Sequence, residues 1–320
     1  MATPKSILRA AAAIALLVVA CVVGLGSRAS GQDAAGGTGG TAPATPAPSR
    51  ACRLRPWSGN YVQHVESGGL QRTAVVHVPS KIAGRPAPLL LGFHGSGGTG
   101  AFMQRYSGLS TVAGTAGFAA VYPSAAGPRW NLELSEDPTR PDDVLFVRRL
   151  IDTLGGRICF DKKRVYAAGV SNGGGMVALL GCKLSSRIAA IAAVAGGYGD
   201  LPACAPDRPV SVLEIHGTAD QVVPYDGRDG RGAAQVFAAE WAARDECPSD
   251  PVRHRVATHT LRYDWAPCAS GTSVAHIALI GGEHAWPGAT PPDPGPPAAI
   301  AAAPVIWAFL APHRLAPAGR

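Results

Sequence analysis

Charge is scarce in this chain. Charged residues fill 16% of its 320 positions while hydrophobic residues fill 47%. That balance argues against disorder over most of the length and supplies enough apolar surface for a sizeable core. Blocks of lysine and arginine interleaved with aromatics are missing. The formal charge of +7 is carried mostly by arginines scattered singly between apolar segments. Nucleic acid is therefore not expected as a partner, and a generally basic surface facing an anionic envelope is. None of the seven cysteines stands in C-x-x-C spacing, so no zinc site is expected and no metal is assigned. Internal repeats are also absent.

What is present begins with an export-type N-terminus over residues 1–30. Lys5 and Arg9 precede the apolar run "AAAIALLVVACVVGLG". "VVAC" resembles a lipobox, which would leave a lipid-modified Cys21 holding the protein on the outer side of the cell membrane. "SRA" ending at Ala29 would instead suit ordinary signal peptidase and a secreted product. Residues 31–51 hold no aromatic or long aliphatic side chain and read as a flexible linker. A single catalytic domain is expected over 52–316. Without Cys21, six cysteines remain in an oxidising compartment, and three disulfides are expected. Cys247 and Cys268 flank one strand-like segment, "HRVATHTLRYDW", and are the first pair to propose. Cys52, Cys159, Cys182 and Cys204 allow three pairings.

Short apolar runs alternate with helix-like stretches through this domain. Strands are expected at 73–79, 88–95, 118–123, 164–170, 188–196, 211–217 and 273–282, several of them apolar on both faces. Helices are expected at 142–154, 173–184, 232–245 and 300–311. This succession predicts an α/β fold, a mostly parallel doubly wound sheet with helices on both faces. Ligands of such sheets sit beyond the carboxyl ends of the strands, so the residues after each strand are the ones to examine.

"RVYAAGVSNGGGMVALLGC" runs from a strand through Gly169-Val170-Ser171-Asn172-Gly173 into a helix. With 40 glycines in the chain the G-x-S-x-G pattern alone is cheap, and the strand-turn-helix context gives it weight. A sharp turn there would push the Ser171 hydroxyl clear of the sheet, under the N-terminus of the following helix. A serine needs a base. His284, in "GGEHAWPG" after the last strand, is the expected one, whereas His77 and His276 lie within strands and His64, His254 and His259 look exposed. Asp220, just past the strand ending at Gly217, is the expected carboxylate. The chain order Ser171, Asp220, His284 is that of α/β-hydrolases.

"LLLGFHGSGGTG" resembles the glycine-rich loop that lends a backbone N–H to an oxyanion. The N–H groups of Ser96 and Asn172 are the expected donors, with Gly95 next after Ser96. As no G-K-[ST] follows, the loop is not a phosphate cradle. His94 is expected to brace it. Trp130, Tyr225 and Trp286 adjoin these loops and are candidate walls of a substrate cleft. Asp142 and Asp143, at a helix start, are expected to cap it.

Together "FHGSGG", "RWN", "DDVLFVRRLID", "RVYAAGVSNGGGM", "VLEIHGTADQVVPY" and "GGEHAWPG" resemble the esterase family that groups polyhydroxybutyrate depolymerases with feruloyl and acetylxylan esterases, over roughly residues 52–312. The resemblance implies an α/β-hydrolase fold, carboxylic ester hydrolysis through Ser171, Asp220 and His284, and no cofactor. The substrate would be a small or polymer-attached ester of feruloyl, acetyl or short hydroxyalkanoate type. Only "GYGDLPACAPDRP" separates two central strands, so no large lid is expected and the cleft should be open. The alternatives are acyl transfer to a cell-envelope alcohol, or an envelope protein that uses a hydrolase fold for binding.

Overall fold

In the strand Ala87–Phe93 (β3), Leu89, Leu91 and Phe93 enter one apolar layer and Leu90 another, and all seven residues are buried. Side chains of a strand alternate between faces, so one that is apolar throughout must be covered on both sides. The computed structural model describes residues 57–133, 140–198, 204–227, 232–293 and 299–315, and in it both sides are covered. β1 (Gly59–Ser67), β2 (Leu70–Val78), β4 (Ala119–Pro123), β5 (Phe160–Val170), β6 (Ala190–Val194), β7 (Ser211–Gly217), β8 (Val252–Ala257), β9 (Thr260–Trp265) and β10 (Val274–Leu279) join β3 in one sheet, ordered β1-β2-β4-β3-β5-β6-β7-β10-β9-β8. The six strands from β4 to β10 in that order are parallel, and the strands outside them pair antiparallel.

Helices α1 (Gly100–Tyr106), α2 (Leu109–Ala116) and α6 (Ala302–Leu310) supply the apolar layer on one face. Helices α3 (Asp143–Gly155), α4 (Asn172–Lys183) and α5 (Ala234–Arg244) supply the other. This is the doubly wound arrangement expected from the sequence. None of the helices among the described residues is long and apolar enough to cross a membrane. The export signal, Cys21, the linker and Cys52 lie outside the described residues.

Two local readings are corrected. "HRVATHTLRYDW" is not one strand but most of the β8–β9 hairpin, reversing at Thr258–His259 with His259 at φ 54°. The turn carries none of the glycine or asparagine that usually marks a two-residue reversal, and the alternating pattern runs straight across it. Asp142 caps α3 by accepting the Leu145 N–H at 2.7 Å. Asp143 does not cap. It is buried in an ion pair with Arg72 at 2.6 Å and accepts the Asn131 N–H at 2.8 Å, tying β2 and the "RWN" loop to α3.

Disulfides join Cys247 to Cys268 and Cys182 to Cys204, and Cys159 is also disulfide-bonded. The first closes a loop of 21 residues around the β8–β9 hairpin, and a loop of that size is worth ~3 kcal/mol against the unfolded chain. Replacing both Cys247 and Cys268 by serine is expected to lower Tm by roughly 6–10 °C in calorimetry, with little change in the chemistry of the distant strand ends.

Candidate active site

The last six residues of β5 are buried, and the chain leaves them through Ser171 at φ 57°, ψ −124°. That conformation costs a non-glycine residue ~1–3 kcal/mol. The Ser171 N–H donates to the Val194 carbonyl at 2.9 Å, and the Ser171 carbonyl accepts from Gly175 and Gly197 at 3.1 Å each, which fixes the turn. Position 173 must be glycine: a Cβ there would fall within the radii of the Phe93 and His94 carbonyl oxygens. Its absence lets the start of α4 close against the end of β3.

The loop after β3 faces this turn. Gly97 donates to the Pro128 carbonyl and Gly98 to that of Gly95, whereas the N–H groups of Ser96 and Asn172 have no acceptor among the described residues. His94 is buried and braces the loop as expected. One ring nitrogen lies 2.7 Å from the Gly95 carbonyl, and the other accepts the Ala125 N–H at 3.1 Å. Burial pushes the His94 pKa down, against smaller opposing effects from the Gly95 carbonyl and Asp143, which suits a neutral ring serving as donor on one side and acceptor on the other.

At the ends of β7 and β10 the chain brings Asp220 and His284 together. Position 217 is the second that must be glycine, because a Cβ would collide with the Gly282 carbonyl. The Thr218 N–H donates to Leu279 and the Ala219 N–H to Gly282, stitching the two loops. The Asp220 side chain is buried, and its Oδ2 lies 2.7 Å from His284 Nδ1. Asp220 Oδ1 accepts the N–H groups of Val222 and Val223 at 2.8 Å each. Burial alone would raise the Asp220 pKa, yet the hydrogen bonds from His216, His284 and Val223 hold it well below the usual carboxylate range. An ionised Asp220 accepts, so His284 donates from Nδ1 and turns Nε2 away from the carboxylate.

Ser171 and His284 line one cleft of about 540 Å³, without a direct hydrogen bond between them. The cleft is also lined by Ser96 and the neighbouring glycines, by Phe102 and Tyr106 of α1, and by Val222 and Asp293. The three proposed aromatic walls are elsewhere. Trp130 is 1% exposed beneath the loop after β3: its indole N–H donates to the His94 carbonyl, and its backbone N–H donates to the Asn172 side chain at 2.7 Å. Trp286 is equally buried and donates its indole N–H to the Ser107 carbonyl. Tyr225 is buried against His276, 2.7 Å from its Nε2. Adjacency to a site loop does not set the direction of a side chain, and a large apolar ring gains most by turning inward. The walls that do face the cleft come mainly from α1, a seven-residue helix whose capping Thr99 was its one sequence signal.

A second cluster went unremarked in the sequence. Glu214 and His216 sit in β7, a strand buried at every position. Both belong to a polar chain running inward from Asp220, and the signal for them was a charged residue and a histidine inside an apolar strand.

No protein-family model matches the chain. "Putative esterase NocK" of Nocardia uniformis subsp. tsuyamanensis is 34% identical over 240 residues, covering 67% of this chain and 69% of that protein. Feruloyl esterase B of Piromyces equi is 32% identical over 236 residues, covering 67% of this chain but 42% of that longer protein. Among solved structures, an acetyl xylan esterase from Aspergillus awamori superposes with a TM-score of 0.56 at 16% identity, covering 70% of this chain and 94% of that one. An S-formylglutathione hydrolase from Agrobacterium tumefaciens gives 0.50 at 16% identity, covering 71% and 88%. The structural likenesses bear on the fold alone, and the two sequence relatives bear on the family.

Proposed function

We propose that this chain, which belongs to the feruloyl esterase-like family of α/β-hydrolases and is a carboxylic ester hydrolase, works through an acyl-enzyme formed on Ser171, with His284 as base and Asp220 as its holder. The observation that carries the reading is the 2.7 Å contact of Asp220 with His284 Nδ1, beside a strained serine turn that opens into the same cleft. Ser171 Oγ attacks the ester carbonyl while His284 Nε2 takes its proton. The carbonyl oxygen, now negative, accepts the N–H groups of Ser96 and Asn172. Collapse breaks the C–O bond, and His284 returns the proton to the leaving alkoxide. A water molecule, deprotonated by the same nitrogen, then cleaves the acyl-serine and frees the acid. Asp220 stays ionised and stabilises each imidazolium.

The cleft favours a flat apolar acyl group on an alcohol left in solvent. Phe102 and Tyr106 stack at 4.9 Å on one wall, with Phe102 40% exposed, and Val222 projects at 58% exposed. Disulfides and the basic-then-apolar N-terminus support action outside the cell, secreted or held by a lipid on Cys21. A panel of methyl ferulate, acetylated xylan, hydroxybutyrate oligomers and alkyl acetates, compared by kcat/KM, tests the substrate class. Methyl ferulate is expected to lead among unactivated esters, and a clear preference for acetylated xylan would contradict the assignment. Phe102→Ala is expected to raise KM for methyl ferulate roughly tenfold with kcat little changed, the loss of one aromatic contact.

A further inference from the structure

Asp220 Oδ2 has a second imidazole on it. His216 Nε2 lies 3.2 Å from that oxygen and 2.9 Å from the Val223 carbonyl, while His216 Nδ1 lies 2.8 Å from Glu214 Oε1. Both ring nitrogens therefore face acceptors only. A neutral imidazole would aim a lone pair at a carboxylate or a carbonyl on one side, so the geometry calls for a proton on each nitrogen. The loop that His216 grips by the Val223 carbonyl is the one whose Val222 and Val223 N–H groups clasp Asp220 Oδ1.

The remaining neighbours complete the charge balance. Glu214 is fully buried: its Oε1 also accepts the Tyr198 hydroxyl at 2.9 Å, and its Oε2 lies 2.5 Å from His276 Nδ1. His276 Nε2 lies 2.7 Å from the Tyr225 hydroxyl, which accepts from Gln235 at 2.7 Å. His276 thus has a partner on each ring nitrogen, Glu214 on Nδ1 and the Tyr225 hydroxyl on Nε2. The titratable groups around His216 are thus Glu214 behind it, Asp220 before it, the Tyr225 ring 5.9 Å away, Tyr198 and His276 on Glu214, and His284 on Asp220.

We propose that His216 is a buried imidazolium, held charged by Glu214, and that it is the positioning residue which keeps Asp220 ionised and aimed at His284. The proposal rests on the Ser171, His284 and Asp220 reading of the site. Burial by itself would push the His216 proton off; the Glu214 carboxylate and the bonds to Asp220, Glu214 and the Val223 carbonyl reverse this and raise its pKa to about 10. Burial would likewise raise Glu214, and His216 and His276 bring it down to about 2 instead. His216 as one cation between the Glu214 and Asp220 carboxylates leaves these three groups with a single net negative charge, offset each time His284 takes the serine proton.

The direct test is a long-range proton–nitrogen spectrum of the intact protein labelled with ¹⁵N-histidine, with His216 assigned from the His216→Gln variant. The expected result is an imidazolium at position 216 throughout pH 6.5–8.5. A neutral tautomer at pH 7 overturns the proposal, and this readout requires neither catalysis nor a stable variant. Glu214→Gln supplies the second arm, since it removes the charge that retains the proton. Its kcat/KM relative to wild type is expected to fall roughly tenfold between pH 6.5 and 9, in step with loss of the His216 proton, with KM steady. A ratio independent of pH in a folded variant overturns the positioning role, because a purely structural defect would not track the ring. Loss of the esterase reading itself would appear elsewhere, as activity surviving in Ser171→Ala, and would leave the His216 spectrum unchanged.

Discussion

Ser171→Ala is expected to lower kcat for ester hydrolysis by about 10⁴- to 10⁶-fold while the circular dichroism spectrum and Tm stay near those of the wild type. The size follows from what is removed. Without the hydroxyl no acyl-serine forms, and the remaining N–H donors and cleft walls can only speed direct attack by water. Stability should hold or rise slightly, because alanine removes no buried hydrogen bond of the serine side chain. The strained turn is kept by backbone bonds to Val194, Gly175 and Gly197, so the fold does not depend on the oxygen. Hydrolysis of p-nitrophenyl acetate, with calorimetry on the same sample, checks both halves. More than about one per cent residual activity would contradict the nucleophile assignment.

Asp220→Asn is the second large effect, on the order of 10⁴ in kcat with KM changed far less. Every partner of Asp220 is a donor: the Val222 and Val223 N–H groups on Oδ1, and the two imidazoles on Oδ2. An amide has one oxygen and one NH₂, so either orientation sets an N–H against N–H groups. If the NH₂ faces His284, that ring must present a lone pair at Nδ1 and carry its proton on Nε2. There it can no longer accept the serine proton. The other orientation sets the NH₂ against two backbone donors and loosens the loop, which costs stability as well. A pH–rate profile separates this from simple damage: the defect should ease at high pH, where hydroxide can substitute for the missing base. A loss that is equal at every pH would point to a collapsed loop.

The elements read most directly from the sequence were those whose local chemistry admits one solution. The parallel strands are apolar on both faces, and Ser171 sits in a strand-turn-helix whose glycines close against carbonyl oxygens at position 173. Asp220 and His284 were singled out because ligands of such sheets gather where strands end, and the structure brings these two residues, 64 apart in the chain, to 2.7 Å. What was missed depends on direction rather than type. Trp130 and Trp286 were placed beside the right loops and on the wrong side of them. The cleft walls come from Phe102 and Tyr106 on a helix too short for a periodic signal, and the Thr-His turn of the β8–β9 hairpin hid a reversal. His216 escaped because a histidine in a buried strand reads as core until its partners, Glu214 on the same strand and Asp220 and Val223 in the loop that follows, are known.

The most direct measurement of the central claim is to treat the full-length protein with a fluorophosphonate and map the adduct by mass spectrometry, with and without acylation by substrate. Modification is expected on the peptide containing Ser171, once per molecule, blocked when His284 is replaced by glutamine and accompanied by complete loss of ester hydrolysis. An adduct on another residue, or an active enzyme that takes none, would contradict the account.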